Sequence, residues 1–194
     1  RSGSEYPTPE DSLHAAIAHT AFFRFYARHI ELDRSFKPGH YVLEPGMNIV
    51  QVARMLKLGL QTPVRVTINN VRTPAQLAGK LARQIEADSA TIVGALTDPA
   101  TARKAGFDSV TLFSMFIPDT YEFYWTVSPA QIIERMRREY DRFWTPQRDA
   151  KRQRSGLSRL EVMTLASIVY EETRQSDEMP RIAGVYINRL RKGW

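Results

Sequence analysis

The sequence contains no cysteine among its 194 residues. Disulfide bonds and thiolate metal sites are therefore excluded, whereas the cellular compartment stays open, because many exported proteins also lack cysteine. Histidine is scarce as well: the four histidines stand at positions 14, 19, 29 and 40 and match no metal-ligand spacing beyond that of helical neighbours. We predict neither a bound metal nor a cofactor.

Long apolar runs are absent too. No uninterrupted run approaches the roughly 18 residues that a membrane-spanning helix needs, so we do not expect this sequence itself to cross a bilayer. The first residue is Arg1 rather than methionine. We therefore expect the native N-terminus to lie before Arg1, together with any leader or anchor segment.

Positive charges outnumber negative charges, and the formal net charge is +6. Such an excess favours polyanionic partners, among them nucleic acids, membrane surfaces and acidic cell-wall polymers. Much of the excess lies in residues 135–154, with the sequence RMRREYDRFWTPQRDAKRQR. This segment is either a solvated helix followed by a basic linker, which we favour, or a binding patch.

Apolar periodicity predicts an α+β fold in three parts. Residues 1–35 comprise a tail, followed by a helix that starts at Asp11 or Ser12. Residues 36–87 contain two repeats, in each of which an apolar run of β type meets a turn and then a helical pattern. We predict that this small module has two strands and two helices and packs separately from a mostly helical domain over residues 88–194.

Several local signals fix the predicted element ends. In the second repeat VRVTI is the predicted strand, and Thr73 and Pro74 open the helix that follows. A short helix near residues 89–97 precedes a loop at Gly106, and Ser128 begins a helix that runs to about residue 144.

Two adjacent glutamates, Glu171 and Glu172, end an apolar run near the C-terminus. Ser158 and Glu161 have the spacing of a capping box, so the helix is predicted to start at Ser158. The next pattern, SDEMPRIAGVYINRL, predicts a second helix capped at Ser176 or Asp177. Two helices joined by so short a turn should pack as a hairpin, with Glu172 beside the turn.

The helical register separates the two glutamates. Counting back three, four and seven positions from Glu172 meets only apolar residues, whereas the same count from Glu171 meets Ile168, Ser167 and Thr164. Glu172 is thus predicted on the buried stripe and Glu171 about 100° away, toward solvent. Desolvation favours the protonated carboxyl group that a general acid needs near neutral pH.

A structural role for Glu172 is the alternative. A glutamate at the end of an apolar stripe is often paired with an arginine, and here Arg181 or Arg189 could reach it across the helix pair. Spacing alone gives the two interpretations equal weight.

At this point the residues resemble a known family, the MltG/YceG-like endolytic peptidoglycan transglycosylases. The segments LASIVYEET and MPRIAGVYINRLRKG are similar to the family's helix pair around its catalytic glutamate, and FIPDTYEFYW is similar to a family segment with Pro-Asp-Thr-Tyr. The resemblance covers most of residues 36–194. It implies a LysM-like subdomain over residues 36–87 and a YceG-like catalytic domain over residues 88–194 that is incomplete at its C-terminal end.

The resemblance implies that Glu172 is the catalytic residue, because it aligns with the glutamate that precedes a threonine. The implied reaction is cleavage of the β-1,4 bond between N-acetylmuramic acid and N-acetylglucosamine, with formation of 1,6-anhydromuramoyl ends and termination of growing strands. The candidate substrate-binding residues are Tyr121, Glu122 and Asn188, although Asn188 could instead brace the helix pair. Tyr170 stands where the family usually has an acidic residue, which suggests that this acid is dispensable.

The resemblance also implies partners and a location. The partners are peptidoglycan strands and, as candidates, cell-wall synthases. The protein is expected at the cytoplasmic (inner) membrane, held by a single-pass segment before Arg1, with its catalytic part outside the cytoplasm.

Other roles for the same residues stay open. Asp119 and Glu122 could be structural or could position substrate, and Tyr121, Tyr124 and Trp125 could stack on sugars or pack in the core, which we favour for Trp125. A noncatalytic peptidoglycan-binding module is the alternative function. We predict no nucleic-acid partner, because residues 135–154 lack the aromatic interleaving of RNA-binding segments and no base-reading motif is present.

Overall fold

Ten α-helices and one pair of strands make up residues 20–193, the part of the chain that this computed structural model describes. The strands are β1 (Val64–Ile68) and β2 (Asp119–Phe123), and a short 3-10 helix spans Leu112–Met115. The helices are α1 (Thr20–His29), α2 (Leu32–Ser35), α3 (Ile49–Leu58), α4 (Pro74–Ala82), α5 (Ser89–Thr97), α6 (Pro99–Lys104), α7 (Pro129–Phe143), α8 (Pro146–Ser155), α9 (Arg159–Glu172) and α10 (Met179–Lys192). The predicted α+β class, mostly helical, is confirmed.

The predicted helix starts are confirmed at three caps. The side chains of Thr73, Ser128 and Ser158 each accept a hydrogen bond from the backbone N–H three residues later, at 3.2, 3.3 and 3.2 Å. These bonds satisfy amide groups that the helix itself leaves without partners. The predicted start at Asp11 or Ser12 lies outside the described residues.

The two strands form one antiparallel ladder in which Val66 lies opposite Tyr121. Side chains alternate across the ladder, so Val66, Ile68, Tyr121 and Phe123 point into the core while the residues between them face solvent. The pairing therefore joins two segments that are more than 50 residues apart, as the hydrogen bond between the hydroxyls of Thr67 and Thr120 illustrates.

The prediction of a first strand in the 36–87 module is wrong. Residues 40–44 have no strand structure, although the expected turn forms at Pro45-Gly46 and is followed by α3. The backbone of this run makes one bond to a neighbouring segment, from the N–H of Thr62 to the carbonyl of His40, and a strand needs a ladder of such bonds. The strand predicted at VRVTI does form, but its partner is β2 from outside the module.

Two hydrophobic cores organise the described residues. A small core of Leu32, Val52, Ala53 and Leu56 joins α2 to α3, and partly buried side chains of α1 pack against it. The larger core runs from β1 through α7 and contains residues from both sides of position 88, for example Leu81 and Ile92. The three-part domain division stays a prediction, but the core continues across its second boundary.

The predicted basic linker is also corrected, because residues 146–155 form α8. Many arginines of the 135–154 segment pair with acids one helical turn away, as Arg135 does with Glu139 at 2.7 Å. Asp149 bridges α8 to α9, and its hydrogen bonds from Arg159 and Arg152 lower its pKa to about 2. These contacts favour a solvated helical surface with internal charge pairing.

None of the helices within residues 20–193 combines the length and the apolar character that crossing a bilayer requires.

Truncation of the larger core gives a direct test of the packing. Leu81 is fully buried, so Leu81→Ala is expected to lower the free energy of unfolding by about 2–5 kcal/mol through lost contacts and a residual cavity. Leu58→Ala deletes the same atoms from a side chain that is 49% exposed and should cost about 1 kcal/mol or less. Urea titrations followed by circular dichroism measure both, and equal losses would contradict this placement of the core.

Candidate active site

Helix α9 brings the two glutamates to its C-terminal end. Its start is fixed by the predicted capping box, in which the N–H of Ser158 also donates to Glu161 Oε2 at 2.7 Å. The helix ends at Glu172, and the next residue, Thr173, is extended, with φ −147° and ψ 148°. Glu172 is thus the last residue before the chain turns.

The turn between α9 and α10 is held by the buried residue Thr173. Its hydroxyl donates to Glu178 Oε2 at 2.7 Å and accepts from the N–H of Gln175 at 3.0 Å. These two bonds fold the chain back, and α10 packs beside α9 as the predicted hairpin. The cap predicted at Ser176 or Asp177 is wrong: the N-cap residue is Glu178, which makes no side-chain cap bond and whose Oε2 accepts from Thr173 instead.

Glu172 lies in an exposed position, contrary to the burial that the register predicted. Of the apolar residues that precede it on the same stripe, only Val169 is buried, while Ile168 is 40% exposed. One edge of the apolar stripe is therefore buried, and the other edge is exposed to solvent. Glu172 lies on the exposed part. Its Oε1 accepts a hydrogen bond of 2.8 Å from the hydroxyl of Tyr186 on α10.

Glu171 is exposed as well, so the two carboxylates differ in their partners rather than in burial. Arg72 donates to Glu171 Oε2 at 2.5 Å, and Arg174 lies 3.8 Å from Oε1. Among the described residues no ion pair joins Glu172 to a cation, and neither Arg181 nor Arg189 pairs with it. The structural ion pair that was the alternative for Glu172 is therefore not formed, while Glu171 makes one.

The sequence profile of the YceG-like family matches residues 2–194. The chain belongs to the YceG-like family. A solved structure of a yceG-like protein from Listeria monocytogenes superposes with a TM-score of 0.60 at 24% identity, over 90% of this chain and 62% of that one. The likeness supports the fold, and this chain spans less than two thirds of the Listeria protein. No curated protein shows significant similarity to the sequence.

Tyr121 of this YceG-like chain is a core residue. It is buried, its hydroxyl donates to the carbonyl of Ile117 at 2.7 Å, and burial together with the nearby charge of Asp119 raises its pKa to about 12. The ring therefore presents no face to solvent, which favours the packing interpretation over sugar stacking. Tyr124, by contrast, is 57% exposed, and Trp125 is half-buried.

Glu122 and Asn188, the other predicted substrate-binding residues, are both exposed. Glu122 lies opposite Arg65 on the solvent face of the sheet, and Asn188 lies on α10 two residues after Tyr186. Their roles stay predictions. Asp119 begins β2, where its Oδ1 accepts from the N–H of Thr120, and no hydrogen bond or ion pair links it to Glu172.

The structure adds residues that the sequence interpretation did not include. Tyr186 contacts the candidate acid directly, and Arg72 and Asn70 reach the end of α9 from the loop after β1. No simple signal marked Tyr186, because it lies in the middle of α10 rather than at the start that an antiparallel hairpin brings back to the end of α9. No local pattern points to the loop, since its contacts span about 100 residues.

The bond between Tyr186 and Glu172 can be tested without an activity assay. Donation to the Glu172 carboxylate raises the pKa of Tyr186, because ionising the phenol would lose the bond and place two negative charges together. In Glu172→Gln the pKa of Tyr186 should therefore fall toward the ordinary value of about 10. NMR titration of tyrosine ring carbons measures the change, with Glu171→Gln as the matched control that should move it less.

Proposed function

We propose that this chain carries the catalytic glutamate of a lytic transglycosylase that acts on peptidoglycan. The substrate is the β-1,4 bond between N-acetylmuramic acid and N-acetylglucosamine, and the product is a 1,6-anhydromuramoyl end. Membership of the YceG-like family supports the proposal. The observation that carries it is the environment of Glu172: an exposed carboxylate at a helix end, hydrogen-bonded by a neutral phenol and not ion-paired.

The proposed reaction uses one carboxyl group twice. Protonated Glu172 gives its proton to the glycosidic oxygen as the bond to the muramoyl C1 breaks. The resulting carboxylate then takes the proton from the muramoyl C6 hydroxyl, whose oxygen attacks C1 and closes the anhydro ring. Glu172 ends as it began, and no water is consumed. Most glycosidases divide such work between two carboxylates.

The surroundings of Glu172 suit both halves of this cycle. A sugar ring that covers the exposed carboxyl group would displace water, which favours the protonated form. Once the proton has left, the Tyr186 hydroxyl can donate to the carboxylate and hold it in place for the second transfer. Glu171 is less suited, because Arg72 and Arg174 occupy its oxygens.

A second carboxylate is not part of the proposal. Asp119 and Glu122 lie on β2, and neither is joined to Glu172 by a hydrogen bond or an ion pair. They stay candidates for a structural role or for positioning substrate. Within residues 20–193 no group of three or more metal-ligating side chains is assembled.

The proposal extends to location and partners. Peptidoglycan lies outside the cytoplasmic membrane, so the catalytic part would act there, tethered by a single membrane segment that precedes Arg1. An enzyme that ends growing strands would work close to the synthases that elongate them. Membrane fractionation of the native protein tests the first point.

The alternative function is a peptidoglycan-binding module without turnover. Exposure of Glu172 favours it, because an uncovered carboxyl group lacks the desolvation that activates a general acid in the absence of substrate. The two functions differ in whether purified glycan strands are cleaved or merely retained.

Substitution of each glutamate tests the assignment of the acid. Glu172→Gln should keep the fold, since the two side chains are nearly the same size, and should lower the rate of anhydro-end formation on the order of 10²–10⁴-fold or more. Glu171→Gln should lose less than about tenfold, because the amide oxygen still accepts from Arg72. Mass spectrometry of digested glycan strands measures both rates in the full-length protein.

Two results would contradict the assignment. Equal losses from the two substitutions would mean that the pair acts through shared charge rather than through Glu172. Full activity in Glu172→Gln would exclude Glu172 as the acid. Separately, a wild-type protein that binds glycan strands without cleaving them would favour the binding module.

A further inference from the structure

The loop between β1 and α4, residues 69–72, touches the last turn of α9. Arg72 donates to Glu171 Oε2 at 2.5 Å, and the Tyr170 hydroxyl donates to Asn70 Oδ1 at 3.2 Å. Two consecutive helix residues are therefore held by one short loop that lies 99 to 100 residues earlier in the chain.

The loop is itself fixed at both ends. Lys80 of α4 donates to the backbone carbonyl and to the Oδ1 of Asn69, the latter at 2.7 Å. The N–H of Arg72 donates to Gln76 Oε1 at 2.9 Å. Asn70 has φ 48°, in the left-handed region that asparagine tolerates better than most residues. The loop can thus act as a fixed support rather than as a flexible tether.

Arg174, in the turn that follows α9, also contacts Tyr170 and Glu171. Its guanidinium lies 4.0 Å from the centre of the Tyr170 ring and 3.8 Å from Glu171 Oε1. One connected group on the surface is formed by Arg72, Glu171, Arg174 and Tyr170. The next residue in the chain after Glu171 is Glu172. The group therefore lies beside the candidate acid, and none of its hydrogen bonds or ion pairs uses the carboxyl oxygens of Glu172.

The energetics of this group favour a local role over a global one. Arg72 and Glu171 are exposed, and exposed ion pairs contribute about 1 kcal/mol or less to folding. At the end of α9 the buried residues are Val169 and, directly after the helix, Thr173. Residues 170–172 are exposed and therefore depend on side-chain contacts for a fixed position. A misplacement of about 1 Å at a reacting group can cost on the order of 10²-fold in rate.

We propose that Arg72 is a positioning residue for Glu172, acting through Glu171. This inference rests on the proposed function, since it assigns to Arg72 a role in the reaction of Glu172. Arg72 holds the end of α9 against the loop, and the loop in turn is held by α4 and β1. The orientation of the acid is thereby tied to the two-stranded sheet.

Hydrogen exchange in the full-length protein tests the positioning without any substrate. In Arg72→Gln the amides of residues 165–175 should exchange faster by roughly fivefold, because the last turn of α9 opens more often, while the core elements keep their protection. Arg138→Gln is the matched control: it breaks an exposed ion pair with Glu134 on α7, of 2.7 Å, and should leave residues 165–175 unchanged.

Kinetics then separate positioning from substrate contact. Arg72→Gln should lower kcat by roughly three- to tenfold with a change in KM below about twofold, and Arg72→Lys should recover most of the loss because it keeps the charge. If Arg72 acts through Glu171, the double variant Arg72→Gln with Glu171→Gln should be no slower than the slower single variant.

Each opposite result overturns the inference. Unchanged exchange in Arg72→Gln would remove the positioning role, and a raised KM with an unchanged kcat would mean that Arg72 contacts the glycan instead. Additive losses in the double variant would mean that Arg72 and Glu171 act independently. A wild-type protein that forms no anhydro ends would instead overturn the proposed function, a failure distinct from the other three.

Discussion

The pairing of β1 with β2 is the constraint on which the rest of the structure depends. An isolated pair of five-residue strands is marginal in water, so this one persists because its inner face, with Val66, Ile68 and Phe123, is buried in the larger core. The pairing closes the chain between residues 68 and 119 and fixes where β1 ends. The loop that contacts α9 starts where β1 ends. The sheet therefore sets the position of the end of α9, although neither strand pairs with that helix.

Local signals predicted the helices well and the sheet poorly. Helix caps such as Thr73 and Ser158 can be recognised from four consecutive residues, and the helices begin where these caps indicated. The partner of a strand is set by packing across the chain, so the run at residues 40–44 looked suited to a strand yet found no ladder. In β2 the alternation of Tyr121 and Phe123 with exposed neighbours is a strand signal, but it is only five residues long.

The site shows the same division between local and distant information. The hairpin of α9 and α10, and the place of Glu172 at its turn, followed from the sequence. The burial of Glu172 did not, because periodicity gives the direction in which a side chain points and says nothing about what covers that direction. The partners that distinguish the two glutamates come from Tyr186, 14 residues later, and from Arg72, 99 residues earlier. Only the folded chain brings them together.

Helix α10 has 14 residues and no fully buried side chain, although it carries the hydroxyl that holds Glu172. Segments with so little buried surface detach at a lower free-energy cost than the whole domain unfolds, as separate cooperative units. Every such opening would carry Tyr186 away while α9 stays anchored through Val169. The hydrogen bond at the carboxyl group can therefore form only while one peripheral helix stays docked, and anything that clamps α10 down would raise the fraction of molecules able to make it.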